Sequence, residues 1–136
     1  MIEFTIYGKP IALKRHRSTR SGRMYDPSAK DKKKIWVKIA KYNRSLPLTD
    51  EIMIHLLFVM ERPKSHYRTG KFKHLLKDDI PEYHSYTPDL DNLVKMICDV
   101  IQGKDRFILD DSQICRIQAE KIYGEKPRTE VIIEKI

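Results

Sequence analysis

The chain has 136 residues, 40% of them hydrophobic and 34% charged, and a formal net charge of +8 at pH 7. This length and composition predict one folded domain over residues 1–136 with a single hydrophobic core. No apolar run is long enough to span a membrane, and the first residues lack the profile of a signal peptide. Cys98 and Cys115 form neither a zinc motif nor a disulfide framework. We therefore expect a cytoplasmic protein without a membrane anchor.

The positive charge is concentrated in one part of the chain. Residues 9–44 contain thirteen lysines and arginines against two acids, a local balance of +11, while acids cluster after residue 78. A segregated field of this kind steers polyanions towards one face of a protein. A solvated basic surface without a partner is the alternative interpretation, because basic charge alone is weak support for nucleic-acid binding.

The first third of the chain predicts a strand, a basic loop and a helix. Ile2, Phe4 and Ile6 alternate with polar residues, which indicates a half-buried strand. Residues 14–23 show no period and predict a mobile basic loop that orders on a phosphate backbone. Asp26-Pro27 predicts the start of a helix that runs to about Asn43. The cations expected to contact DNA from the loop are Lys14, Arg15, Arg17, Arg20 and Arg23.

The remaining elements complete a mixed sheet. Residues 51–60 are almost continuously apolar and predict a central strand covered on both faces, with His55 as a hydrogen-bonded core residue. A long connection over 62–88 adds the basic residues Lys64, Arg68 and Lys71. A helix at about 90–102 precedes strands at about 113–123 and 128–135, which the turn at 124–127 is expected to join as a hairpin. The order β-α-β-α-β-β predicts an α+β fold with two main helices.

Acidic residues gather around the second helix. At 100° per residue, Asp91, Lys95 and Asp99 fall on its open face, opposite an apolar arc. That arc comprises Leu90, Leu93, Val94, Ile97, Val100 and Ile101. Asp89 would point away from Asp91 inside a helix, but Pro88 favours an extended Asp89 at the N-cap, from which its side chain can turn towards Asp91.

Asp110-Asp111 precedes the next strand and is placed to return across the same helix end. Carboxylates gathered closely raise one another's pKa unless a cation is present, and Mg²⁺ prefers such oxygen ligands. Mg²⁺-assisted phosphodiester hydrolysis suits this set, with Lys95 stabilising the charge of the transition state. The alternatives are an N-cap at Asp89, an exposed Asp91–Lys95 ion pair and an ordinary acidic turn at Asp110-Asp111.

A family resemblance favours the catalytic interpretation. The run Asp89-Leu90-Asp91-Asn92-Leu93-x-Lys95, with Asp99 and then residues 109–114, resembles the signature of the RusA family of Holliday junction resolvases. Residues 8–10 and 62–71 are similar to the phage-type branch of that family. Some members carry arginine immediately before the Asp-x-Asp, where this chain has Pro88, and Arg68 or Lys71 would have to replace that cation.

The resemblance implies a homodimeric endodeoxyribonuclease that resolves four-way DNA junctions by paired symmetric nicks. It implies Mg²⁺, which Mn²⁺ can replace, and no organic cofactor. It implies metal binding by Asp89, Asp91 and Asp111 and a catalytic role for Lys95, with Asp99 and Asp110 as possible supporting acids. Recombination, repair and the removal of branches from phage DNA are the candidate processes. The rival hypotheses are a less selective nuclease for flaps and other branched DNA, and a basic nucleic-acid-binding module without catalysis.

Overall fold

The structure, a computed structural model, describes residues 1–15 and 17–136, and only the backbone at Arg17. Its elements in chain order are β1 (Ile2–Tyr7), β2 (Arg17–Ser18), β3 (Met24–Tyr25), α1 (Ala29–Ile39), β4 (Ile52–Glu61), α2 (Leu90–Ile101), β5 (Ile114–Gly124) and β6 (Arg128–Lys135). Four strands form one mixed sheet in the order β1-β6-β4-β5, so the predicted α+β class with two main helices is confirmed. No helix of the described part of the chain is both long and apolar enough to cross a membrane.

The predicted β5–β6 hairpin is wrong. β4 lies between these strands, pairing in parallel with β5 and antiparallel with β6. The most apolar strand takes the centre because both its edges are then paired and its side chains are screened from water. The chain passes from β5 to β6 close over the end of β4, where a Cβ on Gly124 would lie 2.5 Å from Cγ1 of Val59. A glycine at this crossing is therefore a steric requirement.

The second face of β4 is less covered than predicted. Both helices pack on the face that carries Phe4, Ile54 and Ile133, and Ile35 and Ile97 are the helical residues that meet it. The other face of the sheet carries no helix, so the side chain of His55 is 32% exposed there. His55 Nε2 lies 3.2 Å from Oε1 of Glu134, so the predicted hydrogen bond is present but the core position is wrong.

The segment around the basic loop also differs from its prediction. Residues predicted as an irregular loop contain the small β2–β3 hairpin, in which the Thr19 N–H donates to the Arg23 carbonyl at 2.7 Å. The first helix begins two residues later than predicted, at Ala29 instead of Pro27, because Asp26 and Pro27 belong to a turn before it. Oδ1 of Asp26 accepts the N–H of Ser28 at 2.9 Å, and Ser28 occupies the N-cap.

The buried side of α2 includes the predicted arc and is wider than it. Met96 is fully buried, whereas Leu90 and Val94 are only half-buried. The buried residues therefore span the helical wheel from Met96 to Cys98, and Leu90 and Val94, which pack against the core at its margin, border the edge strand β5. With one sheet edge beside it, this side of α2 lacks a second packed element to cover it.

Candidate active site

The start of α2 holds Asp89 and Asp91 as predicted. Asp89 is the N-cap in an extended conformation, with φ −69° and ψ 142°, and Asp91 lies in the first turn. The Asp89 side chain makes no capping hydrogen bond, although it occupies the N-cap. Oδ1 of Asp91 accepts the N–H of Asn92 at 3.0 Å. Both carboxylates are exposed at the positive end of a helix, where negative charge is stabilised.

A lysine that sequence reasoning missed secures the segment before Asp89. Nζ of Lys121 donates to the carbonyl oxygens of Tyr86 at 2.5 Å and Pro88 at 2.6 Å. Lys121 pairs with Phe58 in the register of the sheet, so it projects from the face that the helices cover. The signal available in the sequence was a lysine in phase with Ala119 and Tyr123, at an inward position of an alternating strand.

The turn before β5 gives its two acids different environments. Asp110 is the N-cap of a short 3₁₀ turn over Asp111–Gln113, and its carboxylate accepts the Ser112 N–H at 3.0 Å. Hydrogen bonds from the Ser112 hydroxyl, and then from its N–H, lower the pKa of Asp110. The Asp111 N–H donates to Oε1 of Gln102 at 3.0 Å, which ties this turn to the end of α2.

Gln113 fixes the same turn with both ends of its side chain. Its Oε1 accepts the N–H groups of Leu109 and Asp110, each at 2.9 Å. Its Nε2 donates to the carbonyls of Leu48 at 2.9 Å and Asp50 at 3.0 Å. The backbone of the Asp110-Asp111 turn is therefore held against the segment that leads into β4.

The two regions meet at one open groove of about 640 Å³. Asp91, Lys95 and Asp111 line it. The apolar lining residues are Leu90, Val94, Cys98, Ile114 and Ile117. Asp89 is outside this lining, one residue before Leu90. The structure thus brings three of the four proposed catalytic residues to one surface and leaves Asp89 beside it in the chain.

The donor chemistry of this surface fits a hard divalent cation. Asp89, Asp91 and Asp111 are exposed carboxylates, and Mg²⁺ in enzymes is bound through one or two carboxylates plus waters and substrate phosphates. Within residues 1–15 and 17–136, no three His, Cys, Asp or Glu side chains converge as a ready metal cluster. Both observations agree with a site in which the carboxylates would supply only part of the shell of Mg²⁺, and waters and a substrate phosphate would supply the rest.

The wall of the groove includes a thiol that is held protonated. Burial, and then the negative charges of Asp111 and Asp99, raise the pKa of Cys98 to about 11. Cys98 is only 8% exposed. A protonated buried thiol is a poor nucleophile and a poor metal ligand, so Cys98 contributes packing rather than chemistry.

Lys95 and Asp99 both lie on α2, but only Asp99 forms an ion pair among the described residues. Oδ2 of Asp99 lies 3.3 Å from Nζ of Lys32, which also binds Oδ2 of Asp26 at 2.7 Å. Burial opposes the charge of Lys32, but its bonds to Asp26 and Asp99 outweigh that effect and raise its pKa. Lys95 makes no ion pair with any residue that the structure describes, Asp91 included. Asp99 therefore joins α2 to α1, while Lys95 lines the groove without a counter-ion among the described residues.

The predicted basic loop, residues 14–23, is here called the basic segment, and its start is anchored beside this groove. The Leu13 N–H donates to the Asn92 carbonyl at 3.0 Å, and the Lys14 N–H donates to Ser28 Oγ at 2.8 Å. The side chains of Lys14, Arg15, Arg20 and Arg23 are exposed. The side chain of Arg17, also predicted to contact DNA, lies outside the described part of the chain. The start of the basic segment is thus one hydrogen bond from the first turn of α2.

The basic residues of the long connection are exposed, but Arg68 and Lys71 contact other residues of the same connection. Arg68 donates to the Leu76 carbonyl at 3.2 Å and lies 3.6 Å from Asp78, so it closes its own loop. Lys71 lies 5.2 Å from the ring centroid of Phe72. Lys64 is exposed at the end of β4. None of these contacts directs Arg68 or Lys71 towards the position before Asp89.

Comparison with known proteins identifies the family of this chain. YqaN of Bacillus subtilis (strain 168), an uncharacterized protein, is 29% identical over 140 aligned residues, which cover 99% of this chain and 96% of YqaN. The crossover junction endodeoxyribonuclease rusA of Lactococcus phage r1t is 40% identical over 55 residues, covering 40% of this chain and 41% of that protein. The family model of the endodeoxyribonuclease RusA matches residues 7–134. Because this match spans nearly the whole chain, the protein belongs to the RusA endodeoxyribonuclease family.

Proposed function

We propose that this protein is a Mg²⁺-dependent endonuclease that resolves four-way DNA junctions by paired nicks. The observation that carries the proposal is the shared groove, where Asp91, Lys95 and Asp111 line one surface in a chain of the RusA family. The anchored basic segment supports it, since cations beside an acidic site hold the phosphate backbone that the acids by themselves would repel.

The proposed chemistry is phosphodiester hydrolysis. Asp89, Asp91 and Asp111 would hold Mg²⁺, with Mn²⁺ as a substitute; the bound ion lowers the pKa of an attacking water and neutralises phosphate charge. Lys95 stabilises the negative charge that develops on the phosphate, and the absence of a counter-ion for it among the described residues leaves its ammonium available for that contact. Lys121 and Gln113 hold the two backbone segments that present Asp89 and Asp111.

The proposed active form is a homodimer. A four-way junction presents two strands of like polarity related by a two-fold axis, and a two-fold protein presents two sites to cut them. Each subunit is one RusA-like domain over residues 1–136, and we place the protein with the DNA in the cytoplasm.

Asp91→Asn tests the proposal directly. The change removes a carboxylate charge without changing side-chain size, so we expect cleavage of a mobile four-way junction in Mg²⁺ to fall by more than about a hundredfold. Substituting a residue that only supports metal ligands already lowers metal affinity or activity by about 10–100-fold, so the loss of a ligand should cost more. Junction binding should be kept or tightened, because one charge that repels phosphate is lost.

Asp105→Asn is the matched control, since Asp105 is an exposed acid outside the groove. It should cleave like the parent protein. Near-parental cleavage by Asp91→Asn would remove the proposed site, whereas junction binding without cleavage in the parent would indicate a binding module. Equal cutting of flaps and four-way junctions would indicate a less selective nuclease.

A further inference from the structure

A second groove lies at the end of β4, outside the candidate active site. It has a volume of about 670 Å³, within the range of about 300–1,000 Å³ typical of small-molecule sites. We define the aromatic groove by Arg62, Lys64, His66, His84, Tyr86 and Tyr123, which line it with Glu61, Pro63 and Ser65. Its lining combines aromatic rings, two cations and one acid.

The floor of the aromatic groove is preassembled. Tyr123 is 7% exposed, and the rings of His66 and His84 meet it edge-on with centroid distances of 4.8 and 4.9 Å. The Arg62 guanidinium lies 5.3 Å from the same ring centroid and donates to the Pro81 carbonyl at 3.0 Å. Interlocked rings and a fixed cation lose little conformational freedom when a ligand binds.

The wall next to this floor carries an exposed aromatic ring. Tyr86 is 70% exposed, and its ring centroid is 6.1 Å from that of His84 at an interplanar angle of 80°. Its carbonyl is held by Lys121, so the exposed ring projects from a tethered backbone. An exposed ring beside cations is the arrangement on which unpaired bases stack in proteins that bind single strands.

His84 contributes a neutral ring to the groove lining, with one of its nitrogens buried beneath the surface. Nδ1 of His84 is buried and has no hydrogen-bond partner among the described residues. Burial, and then the charge of Lys121, lower the pKa of His84, so its ring is neutral at pH 7. A neutral ring leaves the charge needed beside a phosphate to Lys64 and Arg62.

The aromatic groove and the candidate metal site share one segment of chain. Tyr86 is three residues before Asp89, and Lys121 binds the carbonyls of both Tyr86 and Pro88. A nucleotide in the groove would thus be held by the same tethered segment that presents a proposed metal ligand.

We infer that the aromatic groove binds an unpaired nucleotide of a DNA strand, with its base against Tyr86 and its phosphate beside Lys64 and Arg62. Local unpairing at the point where the arms of a four-way junction meet would supply such a nucleotide. The inference relies on the proposed function only for the source of this nucleotide; the binding itself is a property of the groove.

The test compares DNA strands that differ only in their bases. In an Asp91→Asn background without divalent ions, fluorescence anisotropy measures the Kd of a short single strand and of an abasic strand of the same length and charge. We expect the strand with bases to bind about tenfold tighter, the effect of stacking roughly one base on an aromatic ring. Tyr86→Ser should bring this ratio close to one.

Tyr83→Ser is the matched control, because Tyr83 is 56% exposed on the same segment but does not line the groove. It should keep the parental ratio. Lys64→Gln should weaken binding of both strands equally, since a phosphate contact does not distinguish them. Tyr86→Ser should also weaken four-way junction binding while leaving a linear duplex unaffected.

Three results would overturn the inference: a ratio near one in the parent, the same ratio in Tyr86→Ser and Tyr83→Ser, or an equal loss of duplex affinity in Tyr86→Ser. These binding results are separate from the proposed function, whose failure would be a lack of junction cleavage by the protein with Asp91 intact.

Discussion

Lys121 is a charged side chain on the covered face of a β-sheet, and its hydrogen bonds explain its position. An ammonium group that leaves bulk water must recover its hydrogen bonds within the protein. Lys121 does so at the carbonyls of Tyr86 and Pro88, which lie just before Asp89. A side chain that orients the segment before a proposed metal ligand acts as a positioning residue.

We predict that Lys121→Met weakens the response to Mg²⁺ more than it weakens junction binding. The variant keeps the length of the side chain but frees the segment before Asp89. Supporting residues of metal sites contribute about 10–100-fold to metal affinity, so the Mg²⁺ concentration for half-maximal cleavage should rise by about tenfold or more. Excess Mg²⁺ should partly restore the rate, which it would not do for an unfolded protein.

Lys126→Met is the control for this prediction, because Lys126 is exposed in the β5–β6 connection. An unchanged Mg²⁺ midpoint in Lys121→Met would show that Lys121 has only a packing role.

The two cysteines provide a prediction about accessibility. Cys98 is 8% exposed, with a pKa of about 11, and Cys115 is exposed. At pH 8 only about 0.1% of a thiol with that pKa is the reactive thiolate. A chromogenic disulfide reagent should therefore modify one thiol per chain rapidly, and Cys115→Ser should abolish this fast phase. A fast phase that survives the substitution would contradict the placement of Cys98.

At the scale of elements, the turn before β5 depends on one side chain. Gln113 makes four hydrogen bonds that join residues 109–110 to the backbone of Leu48 and Asp50. The pattern of neighbouring residues predicts an acidic turn here without distinguishing Asp110 from Asp111, and only the family resemblance implies metal binding by Asp111. The capping bond to Asp110 distinguishes them, leaving Asp111 as the acid that lines the groove.

Gln113→Ala should lower the free energy of unfolding by about 1–3 kcal/mol. The expected loss is that of hydrogen bonds with partly buried partners, each worth about 0.5–1.5 kcal/mol net and reduced by exposure to water. Urea unfolding gives the difference, with Gln118→Ala, an exposed glutamine of β5, as the control. Equal stability of the two variants would mean that water replaces Gln113 without loss.

The helix α2 shows which parts of an element can be predicted. Its bounds, its extended N-cap residue and its amphipathic character follow from Pro88 and the spacing of apolar residues, and these predictions are confirmed. The direction of its buried face is confirmed, but the prediction missed the buried Met96 and Cys98, and Leu90 and Val94 are only half-buried beside an edge strand. A helical wheel records which residues are apolar, but the neighbouring elements decide which of them are covered.

Across the molecule, the anchored basic segment carries positive charge, and the groove of the candidate active site carries the carboxylates of Asp91 and Asp111. The hydrogen bond from Leu13 to Asn92 brings the two together. DNA affinity that comes from phosphate contacts falls with salt in proportion to the number of contacts. The basic segment should therefore determine much of the salt dependence of binding.

Replacing Lys14 and Arg15 with glutamine should reduce the slope of log Kd against log salt concentration by about two units, or roughly 0.9 per lost phosphate contact. Lys104→Gln with Lys126→Gln removes the same charge from exposed positions elsewhere and should change the slope less. Titrations of a linear duplex between low and moderate salt give both slopes. Equal slopes in the two double variants would assign the effect to net charge rather than to the basic segment.

Patterns of neighbouring residues predict the four long strands, the start of α2 at Pro88, and the family signature around Asp89 and Asp91. These depend on residues close together in the chain, so a pattern of neighbours suffices to predict them. Three features follow from packing between distant residues: β4 lies between β5 and β6, Lys121 holds the segment before Asp89, and Asp99 pairs with Lys32. Such pairings join residues far apart in the chain, and packing selects among partners that local patterns leave equivalent.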